Sequence, residues 1–283
     1  MRIVMFTNTY LPHVGGVAQS VWRFVKGLRE RGHNVLVVAP TYEEECEDND
    51  VYRVPAVQNF NGSDFSVVMP ASFKLRHRLD EFKPELVHTH HPFLLGDLAL
   101  RVAAERQLPL VLTHHTMYEY YTHYVPVDLP RMADFVVKLS THFAQSCDRV
   151  IAPSSSVADI LADRSVTTPI SVVPTGVDTA NFGQGDPSQL RELLRLPEDA
   201  RVIGHVGRLA AEKNLTFLAL AVAEVLRDMP EAYFVVVGNG PHQARMRHTI
   251  RRKQVGRQLR FLGRRTGNEL IDAYNLFDAF AFS

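Results

Sequence analysis

Only two cysteines occur among the 283 residues, and that scarcity excludes a disulfide scaffold. Cys46 and Cys147 form no C-x-x-C pair that would suit zinc or redox chemistry, so both read as reduced thiols. Charge of one sign is lacking too: 31 Lys+Arg balance 31 Asp+Glu, which removes any global electrostatic argument for nucleic acid. No uninterrupted apolar run reaches the roughly 18 residues that cross a bilayer. The apolar start, residues 1–6, gives way to Thr7-Asn8-Thr9 too early for a signal-peptide core and reads as a first strand. The 16 glycines and 16 prolines are scattered, which excludes collagen-like and low-complexity chains. What is present is ample core material: 46% hydrophobic residues in a length that suits one large or two ordinary domains.

The apolar pattern alternates between two periods. Ile3 to Phe6 predicts a strand, a loop follows with Pro12 and Gly15-Gly16, and Val17, Val21, Phe24, Val25 and Leu28 recur at helical spacing. Gly32 ends that helix and Val35 to Ala39 predicts a second buried strand. Further strands are expected over 85–88, 109–113, 149–152 and 170–173, with helices near 96–107, 130–146 and 155–163. Such alternation predicts an α/β fold with doubly wound parallel sheets. Between Pro174 and Ala200 the pattern lapses into a turn-rich link with one short helix expected. The boundary therefore falls between an N-terminal domain, 1–175, and a C-terminal one, 176–283, in which the pattern restarts with strands over 201–206, 233–237, 259–262 and 278–282. The first part carries three more acidic than basic side chains and the second three more basic than acidic. Residues 245–265 hold nine Arg and Lys and no acid, which reads first as a solvated helix face. Without interleaved aromatics or a nucleic-acid motif it does not predict nucleic-acid binding.

Ligands of open parallel sheets bind beyond the carboxyl ends of the strands, so chemistry is sought there. Gly15-Gly16 opens a helix, where missing Cβ atoms let a ligand approach backbone N–H groups; a tight turn explains the pair equally well. Gly207 to Asn214 places Arg208 and Lys213 just before a helix, an arrangement suited to a departing diphosphate; a surface ion pair of Lys213 with Glu212 or another neighbour is the plainer alternative. Gly238-Asn239-Gly240 begins a dinucleotide fingerprint, but Gln243 stands where its third glycine belongs and no acidic ribose ligand follows. His88, His90 and His91 follow one strand and His114 and His115 another. Their spacing matches no zinc motif, leaving core histidines or one that meets a substrate hydroxyl.

In this order, Pro12 with Gly15-Gly16, Val87-His88-Thr89-His90, Thr113-His114-His115-Thr116, Ala152-Pro153-Ser154, Pro174-Thr175-Gly176-Val177-Asp178, Val206-Gly207-Arg208-Leu209, Glu212-Lys213-Asn214, Gly238-Asn239-Gly240-Pro241 and Phe261-Leu262-Gly263 resemble the retaining family-4 glycosyltransferases. The resemblance implies the GT-B fold, two Rossmann-like domains, the second incomplete here. It implies that Arg208 and Lys213 hold the donor diphosphate, that Gly16 lies near the phosphate and sugar, that His115 faces the transferring sugar, and that Gly263 and Arg264 lie near the base. The leaving phosphate itself would take the acceptor's proton, and neither metal nor other cofactor would be required. Thr175 replaces the asparagine usual in the link motif. Members of the family also continue about a hundred residues further, with an E-x7-E pair that binds donor sugar and ribose, so weak donor binding and little activity are expected of these residues alone.

The run from His115 to Pro126 resembles the branch that glycosylates diacylglycerol at the inner membrane face, and His90 and Tyr118 are placed on the acceptor side. The expected donor is a UDP-linked hexose and the expected location cytoplasmic, peripheral on the membrane. Residues 71–82 read as a helix with Phe73, Leu75, Leu79 and Phe82 beside Lys74, Arg76, His77 and Arg78. That helix either meets anionic lipid or simply packs on the sheet. A truncated GT-B subunit that binds sugar without catalysis, and a GT-B phosphorylase or epimerase, are the alternatives.

Overall fold

The computed structural model describes residues 1–13, 15–42, 48–57, 67–68, 73–120 and 131–283. Cys46, residues 71–72 of the expected basic helix and the part of the acceptor-side run beyond Tyr120 lie outside them. The chain divides into two compact units, Met1–Gly176 and Val177–Ser283.

In the first unit the elements are β1 (Arg2–Phe6), α1 (Gly16–Glu30), β2 (Asn34–Pro40), β3 (Val51–Val54), β4 (Ala56–Val57), β5 (Val67–Val68), α2 (Phe73–Phe82), β6 (Leu86–Thr89), α3 (Leu95–Arg106), β7 (Leu110–Thr113), α4 (Met132–Gln145), β8 (Arg149–Ala152), α5 (Ser155–Asp163) and β9 (Ile170–Val172). Seven parallel strands lie in the order β3-β2-β1-β6-β7-β8-β9, and β4 and β5 form a separate antiparallel pair. Period-two alternation sorts the strand side chains onto two cores. Val4, Phe6, Leu36 and Val38 pack with Leu75 and Leu79 of α2 and Leu95 and Ala99 of α3. Ile3, Met5, Val35 and Val37 pack with Val21 and Val25 of α1. The strand order reverses between β1 and β6, so the crevice beyond those two strands is the natural ligand position.

The second unit holds α6 (Thr179–Phe182), α7 (Ser188–Leu193), β10 (Arg201–Val206), a 3₁₀ turn at Ala211–Lys213, α8 (Leu215–Asp228), β11 (Ala232–Val237), α9 (Gln243–Arg252), β12 (Leu259–Gly263), α10 (Gly267–Asn275) and β13 (Ala279–Phe280). Its four parallel strands run β12-β11-β10-β13. Phe234 and Val236 pack against α8 and α9, while Val235 and Val237 face Leu190 and Ala273 on the other side. The turn-rich link contains two short helices rather than one. Asp178, a residue of the link motif, caps the first of them by accepting from Asn181 N–H at 3.1 Å. The last strand is shorter than 278–282 because only Ala279 and Phe280 pair with β10.

Candidate functional site

In the first unit the loops after β1, β6 and β7 form one knot. The β1–α1 loop begins with Asn8, which is 2% exposed. Its backbone N–H donates to His91 Nδ1 at 3.1 Å, its Nδ2 donates to the Phe93 carbonyl at 3.0 Å, and its Oδ1 accepts from Leu95 N–H at 3.1 Å. Thr89 Oγ1 donates to the His91 carbonyl at 2.8 Å. Gly96 permits this closeness, since a Cβ there would collide with the His91 carbonyl oxygen. These buried bonds fix the His88–His91 segment, and neither Asn8 nor Gly96 is marked out by any motif spacing.

Five histidines meet at this place. His88 Nε2 and Thr113 Oγ1 are 2.7 Å apart, and His90 Nδ1 and His115 Nε2 are 2.9 Å apart. The His88 and His90 rings lie 4.2 Å apart and the His90 and His115 rings stack at 5.2 Å. Burial pushes His88 and His91 down to about 3 and, with neighbouring charge, His114 and His115 down to about 4; His90 is held well below the usual imidazole range. All five are therefore neutral at pH 7. His88, His90, His91 and His114 are buried, whereas His115 is only half-buried. Among the described residues no three His, Cys, Asp or Glu side chains gather as a metal site.

Tyr118 stands edge-on to Phe93 at 5.0 Å and to His114 at 6.0 Å, and burial raises its phenol. The neighbouring Glu119 accepts from Arg164 at 2.5 Å, tying the segment after β7 to the end of α5. A Cβ at Gly16, the first residue of α1, would meet nothing within 4 Å among the described residues. Ser154, a marker residue of the sequence, proves to be the N-cap of α5, accepting from Val157 N–H at 3.3 Å.

In the second unit the loop after β10 alternates buried and exposed residues. Leu209 and Ala210 are almost wholly buried, while Arg208 and Lys213 are exposed. Leu209 N–H donates to the Asn239 carbonyl at 2.9 Å, and the Leu209 carbonyl accepts from His242 N–H at 2.8 Å. Gly238 and Gly240 make this possible: a Cβ on the first would collide with the Gly207 carbonyl oxygen, and on the second with that of Leu209. The G-x-G pattern thus packs backbone against the cationic loop instead of serving as a dinucleotide fingerprint. Gly238 N–H donates to the Gly263 carbonyl at 2.8 Å, drawing the end of β12, with exposed Arg264 beside it, to the same edge of the sheet. Beneath the loop His205 Nδ1 and the Ala281 carbonyl are 2.9 Å apart, and burial lowers its pKa.

The basic run over 245–265 is partly structural. Lys253 pairs with Glu224 at 3.1 Å, Arg247 lies over Phe261, and Arg260 lies over Tyr233 and donates to the Leu194 carbonyl. An open depression of about 570 Å³ lined by Pro241, Arg247, His248 and Arg251 runs along α9. On α2, Leu75 and Leu79 are consumed by the core. Arg76 pairs with Glu105 at 3.0 Å and Arg78 donates to the Asn49 carbonyl at 3.1 Å, leaving Lys74 exposed. Of the two readings of this helix, packing on the sheet is the one that Leu75 and Leu79 follow, with Phe82 against the same core.

The family model of Glycosyltransferase Family 4 matches residues 14–181, and that of Glycosyl transferases group 1 matches residues 187–283. An alpha-monoglucosyldiacylglycerol synthase of Streptococcus pneumoniae is 30% identical over 287 residues, covering 99% of this chain and 65% of its own length. A GDP-mannose-dependent alpha-mannosyltransferase of Mycobacterium tuberculosis is 29% identical over 294 residues, covering 100% and 73%. Among solved structures, Anabaena HepE in complex with UDP and glucose superposes with a TM-score of 0.71 at 18% identity, covering 100% of this chain and 74% of that one. The chain thus spans about two thirds to three quarters of the length of these relatives.

Proposed function

The chain belongs to Glycosyltransferase Family 4 and has the GT-B fold, and from that premise we propose that it moves a hexose from a nucleoside diphosphate sugar to a hydroxyl acceptor with retention at the anomeric carbon. The observation that carries this reading is the loop after β10, where buried Leu209 and Ala210 hold Arg208 and Lys213 out at the strand ends. As the bond from C1 of the sugar to the phosphate oxygen breaks, the electron pair goes to the diphosphate. The Arg208 fork and the Lys213 point charge neutralise it there, in the role a metal ion plays elsewhere. The acceptor oxygen bonds to C1 from the same face and its proton passes to the departing phosphate oxygen. Gly16, at the N-terminus of α1, lets phosphate or sugar approach backbone N–H groups. Gly263 and Arg264 contact the base, and neutral His115 meets a sugar hydroxyl. His90 and Tyr118 line the acceptor side. No cofactor is assigned.

The donor is UDP-linked and the acceptor a diacylglycerol-type lipid on the inner membrane face. UDP and glucose in the HepE complex support the first, and the name of the Streptococcus pneumoniae relative supports the second; the mannosyltransferase makes GDP-mannose the competing donor. Lys74, Arg76 and Arg78 supply the contact with anionic headgroups.

Titration calorimetry with UDP, UDP-glucose and GDP-mannose, run on the chain and on an Arg208→Ala, Lys213→Ala double variant, tests the donor site. Binding of the uridine ligands that the variant loses is the expected result. Transfer of labelled glucose to diacylglycerol vesicles is expected to be slow, undiminished by EDTA and α-anomeric; a β-anomeric product would overturn retention. Sugar-nucleotide binding without any transfer would favour a non-catalytic sugar-binding subunit.

A further inference from the structure

His90 and His115 are joined by one ring-to-ring hydrogen bond, and only one of the two nitrogens can carry its proton. His90 Nδ1 and His115 Nε2 lie 2.9 Å apart, and burial keeps both rings neutral at pH 7. The other nitrogen of His90, Nε2, is buried with no partner among the described residues. A proton on that Nε2 would leave an N–H in the interior without an acceptor, which costs more than leaving a bare lone pair. The proton of His90 therefore sits on Nδ1 and is donated to His115 Nε2. A neutral His115 that accepts at Nε2 must carry its own proton on Nδ1.

His90 is placed to enforce this. Its backbone N–H donates to the Phe6 carbonyl at 3.0 Å, and its ring lies against His88, itself hydrogen-bonded to Thr113, and against Phe24 at 5.9 Å. We propose that His90 is a positioning residue that locks His115 in the Nδ1–H tautomer, so that His115 presents a hydrogen-bond donor, and no basic lone pair, at the nitrogen turned away from His90. On the transfer reading given above, on which this consequence rests, His115 grips a sugar hydroxyl oxygen instead of removing a proton.

The tautomer is read without substrate, by two-bond proton–nitrogen correlation spectra of the chain labelled with nitrogen-15 histidine, with His115→Asn and His90→Phe variants assigning the two spin systems. The expected spectrum has a protonated His115 Nδ1, an unprotonated Nε2, and a coupling from the His90 Nδ1 proton to His115 Nε2. His90→Phe should release His115 to a mixture of tautomers, whereas His90→Asn, whose amide N–H stands near the place of Nδ1–H, should restore the wild-type pattern. A wild-type His115 protonated at Nε2 overturns the proposal, and that spectrum decides even if the His90→Phe variant fails to fold. Where glucosyl transfer is measured, turnover should fall about tenfold or more in His90→Phe and recover in His90→Asn. A correct tautomer in a protein that transfers no sugar would leave the tautomer assignment standing and defeat only the transferase reading.

Discussion

Five histidines held neutral at the ends of β6 and β7 make the first unit sensitive to acid. Unfolded, each would bind a proton near the ordinary pKa of about 6.5, whereas in the fold His88 and His91 stay neutral down to about 3 and His114 and His115 down to about 4. Between those limits the unfolded chain binds more protons than the native one, so stability falls as pH falls. The loss is on the order of 1.4 kcal/mol per pH unit for each histidine fully titrating in the unfolded chain. Urea midpoints should therefore drop steeply from pH 6.5 to pH 4 and stay nearly level from pH 7 to pH 8. Gly96→Ala is expected to cost about 1–3 kcal/mol, because the new methyl must displace the His91 carbonyl; an unchanged urea midpoint would show that the knot around Asn8 has slack. Cys147 is buried with its thiol pushed up to about 12, which makes it a packing residue rather than a nucleophile.

Elements carry the separation of stability from binding. In the loop after β10, Leu209 anchors and Arg208 projects. Leu209→Ala should cost about 2–5 kcal/mol as a core truncation, while Arg208→Ala should leave stability within about 0.5 kcal/mol and weaken UDP binding. Thermal melts paired with calorimetric titration distinguish the two, and an Arg208→Ala variant with wild-type UDP affinity would remove that residue from the donor site. For α2, whose Leu75 and Leu79 belong to the core, changing Lys74, Arg76 and Arg78 to Glu should lower flotation with phosphatidylglycerol vesicles while the helix stays folded. Equal recovery of variant and wild type would assign those cations to the protein's own ion pairs alone.

At the scale of the whole molecule, each unit owns its cores: two apolar clusters flank the seven-stranded sheet and two flank the four-stranded one. A fragment of residues 1–176 is accordingly expected to fold by itself, with a cooperative melt followed by circular dichroism; a noncooperative melt would mean that its core is incomplete without the second unit. The alternation of short continuous apolar runs with stretches of period 3.6 already states the fold class, because strands buried on both faces read as continuous apolar runs with helices between them. Arg208, Lys213 and the histidine clusters could be picked out as candidates from their place after apolar runs. The sequence could not disclose β3, whose four residues are broken by Tyr52 and Arg53 rather than forming an apolar run, nor the two-residue β4 and β5. Gln243 already argued against a dinucleotide but did not show that Gly238 and Gly240 serve the cationic loop, because the decisive contact is with a backbone some thirty residues away. Spacing did not separate the histidines from one another; only the family resemblance pointed to His115. Local pattern is set by neighbours along the chain and so determined the elements and their order. Burial, hydrogen-bond partners and the neutrality of the histidines depend on what the fold brings alongside, so the tertiary structure alone decided that His115 stays half-open while His90 behind it is sealed and bonded to it.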